Sequence, residues 1–252
     1  MLKRLSDAER DGDRIYAVID GVAGSSDGKG LGLTAPRKEG QKPALERAYW
    51  QAGVLPGSVG LVEAHGTGTV VGDRTEMQTL SEVFNAGGAL SGQAGLGSVK
   101  SQIGHTKCAA GIAGLIKISK ALHHRALAPT AHITQPNDVY RSGNSPFMLY
   151  STAQPWIRSK ARAAVSAFGF GGANFHAVLS AHGNSWPAAG LAEWPTELFL
   201  FRGHTTDAAR GSVRRLSGFL ENSEAVVALR DLALTVASES EGPVQFSLLA
   251  SN

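Results

Sequence analysis

The chain has 252 residues, 42% of them hydrophobic, which suffices for one well-filled core or for a core with a smaller module beside it. Its 24 basic and 21 acidic residues are scattered and leave a net charge of +3, which argues against a nucleic-acid surface, and the most apolar stretch, residues 109–122, is interrupted by Lys117 and Lys120 and does not read as a membrane span. A single cysteine excludes an internal disulfide and a cysteine-rich zinc site, and the N-terminus lacks the apolar segment of a secretory signal, so a soluble, cytoplasmic setting is expected.

In chain order, residues 14–22 (RIYAVIDGV) alternate as a strand does and lead into a Gly/Ser loop. Residues 42–52 predict a helix, with Ala44, Leu45, Ala48 and Tyr49 at helical spacing, and residues 59–64 a short strand. The next helix is expected over 73–84, with Asp73 as its cap and Glu76 as the acid of a capping box. A strand over 95–99 and a helix of small residues over 106–123 follow, then strands over 147–152, 161–167 and 174–180. Beyond Gly183 the composition changes. Trp186, Pro187, Trp194 and Pro195 mark a connection, after which a strand (197–202), helices (208–220 and 225–238) and a strand (244–251) suggest a separate small α/β module.

Glycine, at 31 residues, is clustered in segments 21–32, 66–72, 87–97 and 169–172, a mark of tight turns and of close backbone approach to a ligand. Two histidine turns carry the chemistry. Val62-Glu63-Ala64-His65-Gly66-Thr67-Gly68-Thr69 and Gly97-Ser98-Val99-Lys100-Ser101-Gln102-Ile103-Gly104-His105-Thr106 each end a short apolar run and precede a helix-like segment. Such strand-to-helix junctions are where α/β proteins place their sites. His65 and His105 are candidate hydrogen-bond donors or proton shuttles, and Lys100 supplies a charge for a developing anion. Thr67 and Thr69 offer hydroxyls to a polar, amide-bearing ligand arm, and Gly169, Gly171 and Gly172 allow backbone N–H groups to approach a substrate oxygen. No nucleophile is evident to accompany them.

Taken in order, EAHGTGT with GDRTE, then GSVKSQIGHTKCAAG, then SAFGFGGANFHAVL closely resemble the C-terminal half of the β-ketoacyl synthases, the condensing enzymes of polyketide and fatty-acid synthesis. Residues 2–36 also resemble the strand and loop that lead into that half in modular polyketide synthases, so the resemblance covers about residues 1–181. It implies an α/β, thiolase-like layered fold, here its C-terminal half with the last strand of the first half, over residues 1–182. Residues 183–252 resemble the small α/β linker that joins a ketosynthase to the following acyltransferase.

The resemblance implies roles residue by residue. His65 and His105 would promote decarboxylation of a malonyl-type extender and stabilise the enolate or thioester oxyanion, while Lys100 would order the site through a charge pair with Glu76. Thr67 and Thr69 would contact the phosphopantetheine arm of an acyl carrier protein. Phe170 would be the gating aromatic, its backbone N–H in the oxyanion hole, with Gly171, Gly172 and Asn174 shaping its turn. No metal and no directly bound cofactor is implied. The implied partners are the carrier protein, a C-terminal acyltransferase domain and, in an intact enzyme, a second ketosynthase copy; nucleic acid and membrane are not. The family's nucleophilic cysteine belongs to an N-terminal half that these 252 residues do not include, so the expectation is that they are inactive by themselves and expose an apolar face. Cys108 lies where relatives carry a small residue and reads as a packing position. Gln102, Lys107, Ala173 and Phe175 also depart from the commoner residues, and Lys107 is expected to lower the pKa of His105. A non-catalytic scaffold or docking segment is the alternative. A metal site built on His65, His105 and His176 is disfavoured by their spacing.

Overall fold

The computed structural model describes all residues except 30, 31, 33, 34, 142, 158–160, 184–194, 223–226, 240 and 252. It divides into two compact units, residues 1–190 and 191–252. The Trp186, Pro187 and Trp194 markers lie outside the described residues.

In chain order the first unit comprises α1 (Leu5–Arg10), β1 (Val18–Ser26), α2 (Lys38–Ala52), β2 (Leu61–Glu63), α3 (Val70–Ala86), β3 (Ala94–Gly97), α4 (Lys100–Ile103), α5 (Ala110–His124), β4 (Ala126–Leu127), β5 (Phe147–Met148), β6 (Gln154–Pro155), β7 (Arg162–Phe168) and β8 (Ala173–Ser180). Six strands form one mixed sheet in the order β1-β8-β7-β2-β3-β5, and β4 pairs with β6 apart from it. β7, β2, β3 and β5 run parallel, whereas β8 is antiparallel to both β7 and β1. The first strand therefore belongs to this same sheet and is not a remnant of another. It lies four residues later than residues 14–22 because β8 offers partners from Ser180 opposite Val18 down to Ala173 opposite Ser26. Among the described residues no helix is long and apolar enough to cross a membrane.

Strand periodicity distributes the apolar side chains to two sides. Leu61, Ala163, Val165 and Leu179 pack with Ile118 and Leu122 of α5 and with Trp156. Their neighbours Val62, Ala164 and Val178 pack with Leu45 and Tyr49 of α2 and with Leu80 and Phe84 of α3. The sheet is thus a middle layer, helices on both faces, which is why its central parallel strands are mostly apolar.

Local chemistry moved several helix starts. α3 begins at Val70, capped by the Thr69 Oγ1, which accepts from the Gly72 N–H at 3.2 Å. Asp73 is not the cap; it lies in the first turn and accepts from the Gly68 N–H at 3.2 Å, and Glu76 turns inward. α5 starts at Ala110 rather than 106, because Lys107 adopts φ 54°, a left-handed conformation that a helix cannot contain. Helix α2 starts at Lys38, ahead of the expected residue 42, and contains Pro43. The strand expected over 147–152 is reduced to the two residues of β5.

The second unit packs β9 (Glu197–Arg202) against β10 (Val244–Ala250) in antiparallel register, with α6 (Thr206–Asn222) and α7 (Leu229–Ser238). Phe199, Phe201, Ala209, Ala233 and Val236 form its small core.

His176 of β8 is fully buried, with its Nδ1 3.0 Å from the Ser166 hydroxyl and its ring 5.2 Å from that of Tyr49. Among the described residues its Nε2 has no partner, and burial lowers its pKa to about 3; burial, with smaller effects from Lys100 and His105, lowers that of His65 to about 4. Both are neutral when folded and have an ordinary value of 6.5, so the unfolded chain binds more protons as pH falls below 6.5. The contribution of these two histidines to folding stability should accordingly be full above pH 6.5 and be lost as pH falls toward about 4 for His65 and about 3 for His176. Urea unfolding across that range should show a shallower slope in His176→Gln; an unchanged slope would mean that His176 is not held neutral in the core.

Candidate active site

The site is assembled by parallel strand ends. β2 pairs with β3 through Glu63 opposite Gly97 and with β7 through Glu63 opposite Val165, so the three chains leave the sheet at the same edge. The turn after β2 carries His65, the turn after β3 carries Lys100 and His105, and the turn after β7 carries Phe170. This brings the His65 and His105 rings to 5.7 Å between centroids, edge to face, and His65 to 6.1 Å from Phe168.

Both imidazoles are held neutral. His65 is partly buried, and its pKa is lowered to about 4 by burial first and by the Lys100 and His105 charges second. The His105 pKa is lowered by desolvation, then by Lys100, then by Lys107. The Lys107 backbone N–H donates to His105 Nδ1 at 3.0 Å, which leaves the ring proton on Nε2 as a donor.

Two buried carboxylates hold the histidine turns. Glu76 accepts from the backbone N–H groups of His65 (2.7 Å) and Gly66 (2.8 Å), one on each oxygen. Burial pushes its pKa up to about 7 against the pull of those two bonds. Glu63 accepts from the Val99 N–H at 2.5 Å and from the Lys117 ammonium at 2.8 Å. Burial raises its pKa, which Lys117 opposes.

The expected Lys100–Glu76 charge pair is not formed. Glu76 is occupied by backbone donors, and the buried ion pair here is Glu63–Lys117. Lys100 still feels Glu76 and Glu63 at longer range, while burial lowers its pKa. It lines a cavity of ≈ 480 Å³ together with Thr67, Ser98, Ser101, Asp73 and Glu76. Thr67 and Thr69 face one another, hydroxyl to hydroxyl, at 3.1 Å. Since Thr69 Oγ1 also caps α3, Thr67 is the better placed of the two to address a ligand.

The turn after β7 is tight: the Gly172 N–H donates to the Gly169 carbonyl at 3.1 Å, and Gly171 and Gly172 have φ of 87° and 79°. A Cβ on Gly172 would stand 2.7 Å from Asp27, so glycine is required there twice over. Asn174, buried, donates to Asp27 Oδ1 at 2.7 Å, and the Asp27 N–H donates to the Gly172 carbonyl at 2.9 Å. Asp27 therefore staples the turn to the end of β1, while Phe170 in that turn is 76% exposed.

Cys108 is exposed on the short turn Lys107–Ala109 before α5, so it is not the packing residue its sequence position suggested. His176 sits in the core, away from the strand ends that carry His65 and His105, and among the described residues no cluster of three His, Cys, Asp or Glu side chains could hold a metal. Sequence reasoning missed Asp27, Glu63 and Lys117. The signal for the last two was present: a carboxylate inside an apolar strand, and a lysine inside an otherwise apolar helix.

Residues 16–134 match the β-ketoacyl synthase C-terminal domain, and residues 138–241 match the ketoacyl-synthetase C-terminal extension. The chain is 39% identical over 239 residues to one of the phenolphthiocerol/phthiocerol polyketide synthase proteins of Mycobacterium tuberculosis, covering 94% of this chain and 13% of that protein. It is 46% identical over 187 residues to a polyunsaturated fatty acid synthase protein of a Thraustochytrium species, covering 71% of this chain and 7% of that protein. In structure it is similar to the ketosynthase from module 6 of the bacillaene synthase from Bacillus subtilis 168, with a TM-score of 0.69 and 33% identity, covering 99% of this chain and 43% of that one. The chain thus spans less than half the length of each of these relatives. With the three motif-bearing turns gathered at one sheet edge of a thiolase-like mixed α/β fold, this chain belongs to the β-ketoacyl synthase family and carries its C-terminal domain and C-terminal extension.

Proposed function

We propose that residues 1–182 supply the decarboxylating and oxyanion-binding part of a condensing site, and that residues 183–252 serve as the linker toward an acyltransferase domain. The observation that carries this reading is the pair of neutral imidazoles 5.7 Å apart at the ends of adjacent parallel strands, with the Lys100 cation beside them. When a carrier-bound malonyl-type thioester loses carbon dioxide, the electron pair of the broken C–C bond moves onto the α-carbon and the thioester oxygen. A neutral imidazole with an Nε2 proton is a donor suited to that oxygen, and it adds no charge that would hold the carboxylate back. The carbanion then attacks the carbonyl of an acyl-cysteine thioester, and the thiolate leaves. In that step the backbone N–H of Phe170 faces the tetrahedral oxyanion, and its ring gates the approach. Thr67, supported by Thr69, takes the phosphopantetheine arm that an acyl carrier protein presents; no cofactor is bound directly. A cytoplasmic ketosynthase homodimer is the proposed setting.

In a complete condensing enzyme carrying this chain, His65→Ala or His105→Ala should lower extender decarboxylation by about 100-fold or more while leaving acyl loading of the nucleophilic cysteine much less affected. Single-turnover assays with separate acyl and malonyl thioesters make the distinction, and a wild-type decarboxylation rate in either variant would remove that histidine from the mechanism.

Lacking an acyl-cysteine of the required placement, the 252-residue chain by itself should produce no β-ketoacyl product from acyl and malonyl thioesters. Product formation abolished by Cys108→Ala would show that the exposed Cys108 is a nucleophile after all.

A further inference from the structure

Lys100 feels the charges of two buried carboxylates, Glu76 and Glu63, yet among the described residues its ammonium makes no hydrogen bond or ion pair. Each carboxylate is already engaged. Glu76 holds two backbone N–H groups, and Glu63 holds the Lys117 ammonium at 2.8 Å and the Val99 N–H at 2.5 Å. The cations that bear on Glu63 are Lys117 and Lys100, and Val99, already bonded to Glu63, is the residue next to Lys100. The packing is cleared for the observed pairing. A Cβ on Gly114 would stand 2.9 Å from Glu63 Cγ.

We infer that Lys117 is a positioning residue: by engaging the buried Glu63 carboxylate it keeps that carboxylate from capturing Lys100, and so leaves the Lys100 ammonium free for an anionic substrate. A carboxylate with 2% of its side chain exposed demands a cation or a proton. With Lys117 removed, Lys100 is the cation within reach, and its pairing with Glu63 would empty the polar recess of its positive charge. The part of this inference that concerns the substrate rests on the proposed condensing function; the part that concerns the pairing does not.

The test is competitive amine labelling of the 252-residue chain with acetic anhydride, each lysine quantified by mass spectrometry against the exposed Lys120. In the wild-type chain Lys100 should label faster than Lys117. In Lys117→Met the labelling of Lys100 should fall several-fold. In Glu63→Gln/Lys117→Met, which keeps an acceptor for the Val99 N–H but removes the carboxylate, it should recover. Lys117→Arg should preserve the wild-type pattern. Unchanged labelling of Lys100 in Lys117→Met, or no recovery in the double variant, would overturn the inference. Should Lys117→Met not fold, the wild-type order decides: Lys117 labelling faster than Lys100 contradicts the pairing. In the complete enzyme, Lys117→Met should lower extender decarboxylation by about tenfold or more, the scale of losing part of a charge-stabilising contact. Labelling that behaves as expected without such a loss would uphold the pairing and overturn the part of the inference that gives the free Lys100 ammonium to an anionic substrate.

Discussion

The buried carboxylate of Glu63 is the contact on which the arrangement of the site depends. An ionised carboxylate taken out of water is costly unless a cation and hydrogen-bond donors replace its hydration. Here those groups come from two other elements: the Val99 N–H at the start of the turn bearing Lys100, and the Lys117 ammonium of α5. Glu63 itself is the last residue of β2, two positions before His65. Satisfying one side chain thus fixes the strand end of the first histidine, the turn leading to the second, and the helix behind both. Glu76 does the same from α3, gripping the backbone of the His65 turn itself.

Electrostatics follow from that scaffold. Because both carboxylates bind backbone or Lys117, the cationic charge of Lys100 is not cancelled locally, and it is felt by the two imidazoles, lowering both pKa values on top of burial. Neutral imidazoles are donors of modest acidity, suited to an oxygen that becomes negative during reaction rather than one already ionised. Asp27 performs the mechanical counterpart at the turn after β7. It ties Asn174 and the Gly172 carbonyl to β1 while Phe170 in the same turn is exposed.

Apolar side chains remain exposed close to this edge. Ile103, Ile112 and Ile116 are each more than half exposed, on the same stretch of chain as His105 and Cys108. His105 itself is exposed, so its imidazole keeps more of its hydration than His65 does, in keeping with the larger shift at His65.

Much was legible in the sequence. The alternation of helices and strands, including the strand–helix–helix–strand order of the last sixty residues, and the three glycine-rich turns were readable, because apolar periodicity and glycine report the local backbone directly. Strand 197–202 was read to the residue, since its turn signals bound it on both sides. Helix ends were less legible: Thr69 outcompeted Asp73 as a cap, and a left-handed Lys107 delayed α5, both being local choices that residue type alone leaves open. His65, His105 and Lys100 could be picked from the sequence as residue types suited to the chemistry, but which carboxylate paired with which lysine could not. Lys100 and Glu76 are separated by 24 positions and Glu63 and Lys117 by 54, and both pairings suit the order of elements equally well. Only the parallel pairing of β2 with β3, and the packing of α5 across the glycine at position 114, brought Lys117 rather than Lys100 to the buried charge.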